Sequence, residues 1–117
     1  MSAPVVWFEI AGRDLPGLTK FYGDLFGWKV DANNPMNYGM VDTGTASGIP
    51  GGIYADANGA GEFVTVYVEV GDLAAALTRS EELGGTVVQP VTKVPDGPTI
   101  AMVTDPEGHR IGLIQGA

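Results

Sequence analysis

At 117 residues the chain fits one domain with one substantial core. Six Lys and Arg against fourteen Asp and Glu give a net charge of −8, which repels phosphate backbones and argues against a nucleic-acid partner. There is no cysteine, so disulfides, thiolate metal sites and a cysteine nucleophile are excluded.

No apolar run approaches the roughly 20 residues that a membrane span needs. No basic region followed by an apolar stretch opens the chain, so no secretory signal is read and a cytoplasmic location is expected. Val5 to Ile10, rich in β-branched and aromatic residues, predicts a strand. Asp14 is a helix N-cap with Pro16 in the first turn. Leu15, Leu18, Tyr22 and Leu25 then recur at helical spacing, and Gly27 ends the helix. Trp28 to Val30 and Tyr38 to Val41 predict two strands joined by a turn at Asn33-Asn34-Pro35, and Gly48 to Tyr54 predicts a fourth. The fourth is unusual, because glycine weakens strand interiors. Ala55 to Gly61, small and polar, is the expected linker.

The order then repeats. Glu62 to Val70 predicts a strand, Asp72 a second N-cap, and Leu73, Ala76, Leu77 and Leu83 a second helix ended by Gly84-Gly85. Strands follow at Thr86 to Val88, Thr99 to Thr104 and Ile111 to Ile114, with a tight turn at Asp105 to Gly108. Each half reads β-α-β-β-β. The two capping aspartates are 58 residues apart, and Gly48 and Gly52 precede Gly108 and Gly112 by 60, so the second half carries about two extra residues. The expected fold is α+β: a single domain, 1–117, of two modules spanning about 3–55 and about 61–116, in a curved, mostly antiparallel sheet around a cavity.

Strand residues alternate between two faces. Val6, Phe8 and Ile10 share one face of the first strand, and Val64, Val66, Val68 and Val70 one face of the fifth. These apolar rows are expected to pack beneath the helices. The opposite faces carry Trp7 with Glu9, and Thr65 with Tyr67 and Glu69; the same parity adds Gly52 with Tyr54, and Gly112 with Ile114. An aromatic, hydroxyl and carboxylate mixture suits a partly wet pocket for a mainly apolar ligand. Glu9, beside Trp7, is the candidate for chemistry. Desolvation by aromatic neighbours would raise a carboxyl pKa, as a general base needs, or the carboxylate would pair with a cationic ligand. His109 stands alone after a turn glycine, and Asp105 and Glu107 read as turn residues.

Two such modules, with Phe21-Tyr22-Gly23-Asp24-Leu25-Phe26-Gly27-Trp28 at the first helix end and Thr104-Asp105-Pro106-Glu107-Gly108-His109 before the last strand, resemble the vicinal oxygen chelate superfamily. That superfamily includes glyoxalase I, extradiol dioxygenases, fosfomycin-modifying enzymes and bleomycin-resistance proteins. The resemblance covers nearly the whole chain. It marks four metal-ligand positions, in the first and last strand of each module, usually His, Glu or Gln. Here they are Trp7, Gly52, Thr65 and Gly112, none a plausible ligand. No metal and no cofactor are therefore expected. The two glycines are expected to open room for an organic ligand above Trp7 as a stacking floor.

The leading expectation is a metal-free protein that binds or sequesters a small organic molecule, aromatic or cationic, in the cavity between modules. Its site residues would be Trp7, Glu9, Gly52, Tyr54, Thr65, Tyr67, Gly112 and Ile114. The alternative is a metal-independent isomerase or lyase with Glu9 as general base. A displaced metal set of Glu9, Glu69 and His109 is disfavoured, because these residues share no one position on the face. The resemblance further implies a homodimer, with or without modules exchanged between chains.

Overall fold

The computed structural model describes residues 2–56 and 61–116, so part of the expected linker lies outside the described residues. The elements follow the predicted order: β1 (Val5–Gly12), α1 (Leu15–Phe26), β2 (Lys29–Asp31), β3 (Gly39–Asp42) and β4 (Gly51–Ala55), then β5 (Phe63–Val70), α2 (Leu73–Glu82), β6 (Thr86–Lys93), β7 (Thr99–Thr104) and β8 (Arg110–Gln115). Two compact units emerge: Trp7–Val64, and the residues through Val6 together with those from Thr65 onward. In the latter the carbonyl of Pro4 accepts from the Glu69 amide at 2.9 Å.

Both units use the same wiring. In the first, strands run β2-β3-β4-β1, with β1 and β4 parallel and the other neighbours antiparallel. In the second the order is β6-β7-β8-β5, again with one parallel pair, β5 and β8. Among the described residues no helix is long and apolar enough to cross a membrane.

Local chemistry sets the helix ends. The Asp14 carboxylate accepts from the Gly17 amide and the Asp72 carboxylate from the Ala75 amide, each at 3.0 Å, so both satisfy orphan donors of a first turn. Gly27, at φ 75, closes α1 in the left-handed conformation that glycine tolerates.

Each module builds its own core between helix and sheet. In the first, Ile10, Val41 and Ile53 are buried against Phe8, Leu15, Leu18, Tyr22 and Trp28. In the second, Leu73, Ala101, Val103 and Leu113 are buried against Val68, Val70, Ala76 and Leu77. The expected parity therefore holds for Phe8, Ile10, Val68 and Val70. It fails for Val64, which is 72 % exposed. α2 packs mainly against β6, β7 and β8, and Val64, near the start of β5, is not among the residues packed on that core.

Two strand boundaries also moved. β4 starts at Gly51 rather than Gly48, directly after Pro50, which has no amide to give a ladder. β6 runs on to Lys93 through Pro90, with register shifts on either side of Gln89. It ends its module's strand order, and a bulged edge is where a proline is tolerated.

The turn before β8 is held by Asp105. Its carboxylate accepts from the amides of Glu107 and His109, each at 2.9 Å, and lies 3.0 Å from His109 Nδ1. The His109 amide is the main reason the Asp105 carboxyl is held below its ordinary value of 3.8, with the Glu107 amide and the imidazole adding to it. A lowered folded-state pKa stabilises above the unfolded value and is lost as pH falls through the folded value. The stability advantage of the wild type over Asp105→Asn is therefore expected to shrink as pH is lowered from neutrality to below 3.8, measured by urea unfolding at each pH. A difference that stays constant with pH would refute this.

Candidate functional site

The face of the first module opposite α1 can be read in rows across the sheet. Glu9 pairs with Gly52, Gly52 with Met40, and Met40 with Asp31, so these four share one side. Trp7 lies two residues before Glu9, and Tyr54 two after Gly52, on the same side.

Tyr38, just ahead of β3, organises this face. Asn34 clamps its backbone from both directions: Asn34 Oδ1 accepts from the Tyr38 amide at 2.9 Å, and Asn34 Nδ2 donates to the Tyr38 carbonyl at 2.6 Å. The side chain is then fixed in a hydrogen-bonded chain. Trp7 Nε1 donates to Tyr38 Oη at 3.0 Å, and Tyr38 Oη donates to Glu9 Oε2 at 2.8 Å. The Tyr38 ring stacks on Tyr54 with centroids 5.8 Å apart, and Tyr54 meets Phe63 edge-on at 6.4 Å. Glu9 is only 7 % exposed. A buried carboxylate depends on such donors, because desolvation without them is costly.

The space above Gly52 is not open, contrary to the expectation from sequence. A Cβ built there would lie 1.8 Å from Tyr38 Oη and 2.0 Å from its Cζ. The absent side chain lets the phenol lie on the strand backbone. The accessible hollow is beside it: a shallow groove of about 430 Å³ whose lining includes Trp7, Lys29, Asp31, Met40, Asp42 and Pro50.

The second module has an equivalent face. Tyr67 pairs with Gly112, and Gly112 with Met102. The Tyr67 ring, 5 % exposed, lies on Gly112, where a Cβ would come within 2.5 Å of Cδ2. Here too the room expected over a last-strand glycine is filled by the chain's own aromatic ring. Thr65 is buried, and its hydroxyl donates to the Arg110 carbonyl at 2.6 Å. Arg110 has the parity of Gly112 and Ile114, and its Nη1 lies 3.7 Å from Met102 Sδ. Glu69 lies on the same side of β5 and is exposed, and His109 sits in the Asp105 turn.

Tyr38 and Arg110 were missed from sequence although the signal was there. Extending the parity of Met40 back by two gives Tyr38, and extending that of Gly112 back by two gives Arg110.

The residues do not fit the metal set that the resemblance marks. Trp7 offers only an N–H, already donated to Tyr38; the Thr65 hydroxyl is donated to a carbonyl; Gly52 and Gly112 carry aromatic rings over their backbones. Among the described residues, no group of three or more His, Asp or Glu side chains could hold a metal ion.

Comparison with known proteins agrees with this architecture. The protein named "Putative glyoxylase CFP32" in Mycobacterium tuberculosis and Mycobacterium bovis is 28 % identical over 93 % of this chain. The chain spans 44 % of those relatives' length. A solved glyoxalase/bleomycin resistance protein/dioxygenase superfamily member from Vibrio splendidus 12B01 is similar at a TM-score of 0.65 and 19 % identity, covering 98 % of this chain and all of that one. Methylmalonyl-CoA epimerase from Mycobacterium tuberculosis is similar at 0.67 and 17 % identity, covering 97 % of this chain and 87 % of that one. Residues 5–113 match the Glyoxalase/Bleomycin resistance protein/Dioxygenase superfamily, and the chain belongs to that family.

Proposed function

We propose that this chain binds a small organic molecule, aromatic or cationic, without using a metal ion, and that Trp7, Glu9, Gly52 and Tyr54 of the first module carry the binding with Tyr38. Thr65, Tyr67, Gly112 and Ile114 form the matching set of the second module. The observation that carries this reading is the Trp7–Tyr38–Glu9 hydrogen-bonded chain next to a groove of ligand size. The chain holds the indole edge fixed, and a fixed aromatic surface loses little entropy when a ligand stacks on it. Glu9, Asp31 and Asp42 on this face favour a cation, as does the net charge of −8.

The test is a panel of aromatic and cationic compounds screened by thermal shift, with hits titrated by tryptophan fluorescence and calorimetry. Trp7→Ala is expected to weaken a hit by about 10-fold or more, the equivalent of one well-made aromatic contact. Equal affinity for wild type and Trp7→Ala would remove the indole from the site and with it this reading.

A second reading rests on the burial of Glu9. A carboxylate shielded from water is placed to act as a general base in a metal-independent isomerase or lyase. In that case Glu9→Gln abolishes turnover of a bound compound while leaving its affinity within a few-fold. Turnover that survives the substitution rules this out.

A further inference from the structure

We propose that Tyr38 is a redox-active tyrosine: it reduces cationic aromatic one-electron oxidants that reach Trp7, and passes its proton to Glu9. This rests on the Trp7–Tyr38–Glu9 hydrogen-bonded chain and not on tight binding of any ligand. In a chain without cysteine, the tyrosine and tryptophan side chains are the most readily oxidised one-electron donors. A phenol gives up an electron with difficulty unless its proton leaves in the same event, because the alternative is a charged phenol radical. Burial makes that charge costlier still. The structure supplies the acceptor. Tyr38 Oη already donates to Glu9 Oε2 at 2.8 Å, and Glu9 is buried, so the carboxylate rather than bulk water is the base at hand.

The order of the chain sets a direction. Trp7 lines the groove and Tyr38 lies beside it, so an oxidant seated there meets the indole first. The indole N–H is donated to Tyr38 Oη at 3.0 Å, a phenol oxygen too weakly basic to take the proton. An oxidised Trp7 therefore stays a radical cation. Tyr38 refills it with one electron while the phenol proton crosses to Glu9. In balance, the oxidant gains one electron, the Tyr38 O–H bond breaks, a Glu9 O–H bond forms, and Trp7 ends as it began. The products are a neutral phenoxyl radical and a neutral carboxylic acid, with no charge stranded in the buried site. An ene-diol reductant then resets the chain. It gives one electron to Tyr38 and its own proton to water, and the Glu9 proton returns to Oη.

The surroundings select the oxidant and protect the radical. Asp31 and Asp42 outweigh Lys29 along the groove, and the chain carries a net charge of −8, so cationic oxidants are drawn in and anionic ones repelled. The indole face gives a flat cation a surface to stack on. Tyr38 itself is covered. Its phenol lies on the Gly52 backbone, and its ring stacks on Tyr54 with centroids 5.8 Å apart. Both contacts hinder coupling of a phenoxyl radical with a second radical. The phenoxyl oxygen keeps the hydrogen bond from Trp7 Nε1, and the protonated Glu9 donates back to it.

Laser flash photolysis of the whole chain tests this, with photogenerated ruthenium(III) tris-bipyridine as the cationic aromatic oxidant and no other ligand present. It is run on the wild type and on Trp28→Phe, in which Trp7 is the one tryptophan left. In both, the tryptophan radical band is expected to decay into the narrower tyrosyl band. The rate is expected to be independent of buffer base, because the proton acceptor belongs to the protein. Adding Tyr38→Phe removes the tyrosyl band and leaves the tryptophan radical long-lived. Glu9→Gln slows the conversion by about 100-fold or more, the lower end of what a positioned proton acceptor contributes, and makes it rise with buffer base. Circular dichroism shows whether each variant is folded. The proposal is overturned by a wild type without a tyrosyl band or with a rate that rises with buffer base, whatever the variants do. It is equally overturned by a folded Tyr38→Phe with unchanged tyrosyl yield, or by a folded Glu9→Gln with unchanged rate. A failed ligand screen leaves this result untouched, and a failed transfer leaves the ligand-binding reading standing.

Discussion

Gly51→Ala is expected to lower the unfolding free energy by about 3 kcal/mol, the upper end of what overpacking a well-filled core costs. Gly51 faces Phe8 across the parallel β1–β4 ladder, on the side covered by α1. An added Cβ would sit 2.3 Å from Phe8 Cδ2 and Cε2. On one side the ring is blocked by Trp28, 5.2 Å away, with Tyr22 stacked behind Trp28 at 5.4 Å. Alanine also restricts the unfolded chain, a gain of about 0.4–1 kcal/mol, but that is smaller than the clash. Gly71→Ala is the control. Nothing lies within 4 Å of a Cβ there, so only the unfolded-state gain remains and stability is unchanged or slightly raised. Urea unfolding of both variants measures the difference. Equal stability for the two would mean that the Phe8 contact does not constrain position 51.

The same pair of residues explains what sequence could and could not reveal. The repeat, the two aspartate caps and the alternation of Phe8 and Ile10 against Trp7 and Glu9 were legible, because each depends on local chemistry or on strand periodicity. The glycines of β4 were legible only as an anomaly. Their reason is long-range: Gly51 yields to Phe8 and Gly52 to Tyr38, contacts that no spacing rule announces. Reading Gly52 and Gly112 as empty room inverted the physics. A missing side chain in a packed protein is more readily filled by a neighbour than left open, and here Tyr38 and Tyr67 fill both. The failure at Val64 has another origin, since which strands a helix packs over, not parity alone, decides which strand residues are covered.

Gly52→Ala is expected to cost about 3 kcal/mol and to remove most ligand affinity, because it strikes the device on which the proposed site depends. The new methyl group would occupy the place of Tyr38 Oη and Cζ, so the phenol must swing off the strand. Two hydrogen bonds go with it, the one from Trp7 Nε1 and the one to Glu9 Oε2, and so does the stack on Tyr54. A hydrogen bond to a charged acceptor contributes about 1.5–3 kcal/mol, more than a neutral one, and Glu9 is too buried for water to replace the donor at no cost. Tyr38→Phe separates the parts. It deletes the hydroxyl but keeps the ring over Gly52, so it should lose about 2 kcal/mol, the share of the hydrogen bonds alone. Emission from Trp7, read in a Trp28→Phe background, reports the indole N–H directly and should shift in both variants. Because the ring stays in place, Tyr38→Phe retains stacking and a larger share of ligand affinity than Gly52→Ala. If Gly52→Ala were as stable as the wild type, with unchanged Trp7 emission, the Trp7–Tyr38–Glu9 chain would not exist in solution. The binding face proposed on it would then lose its foundation.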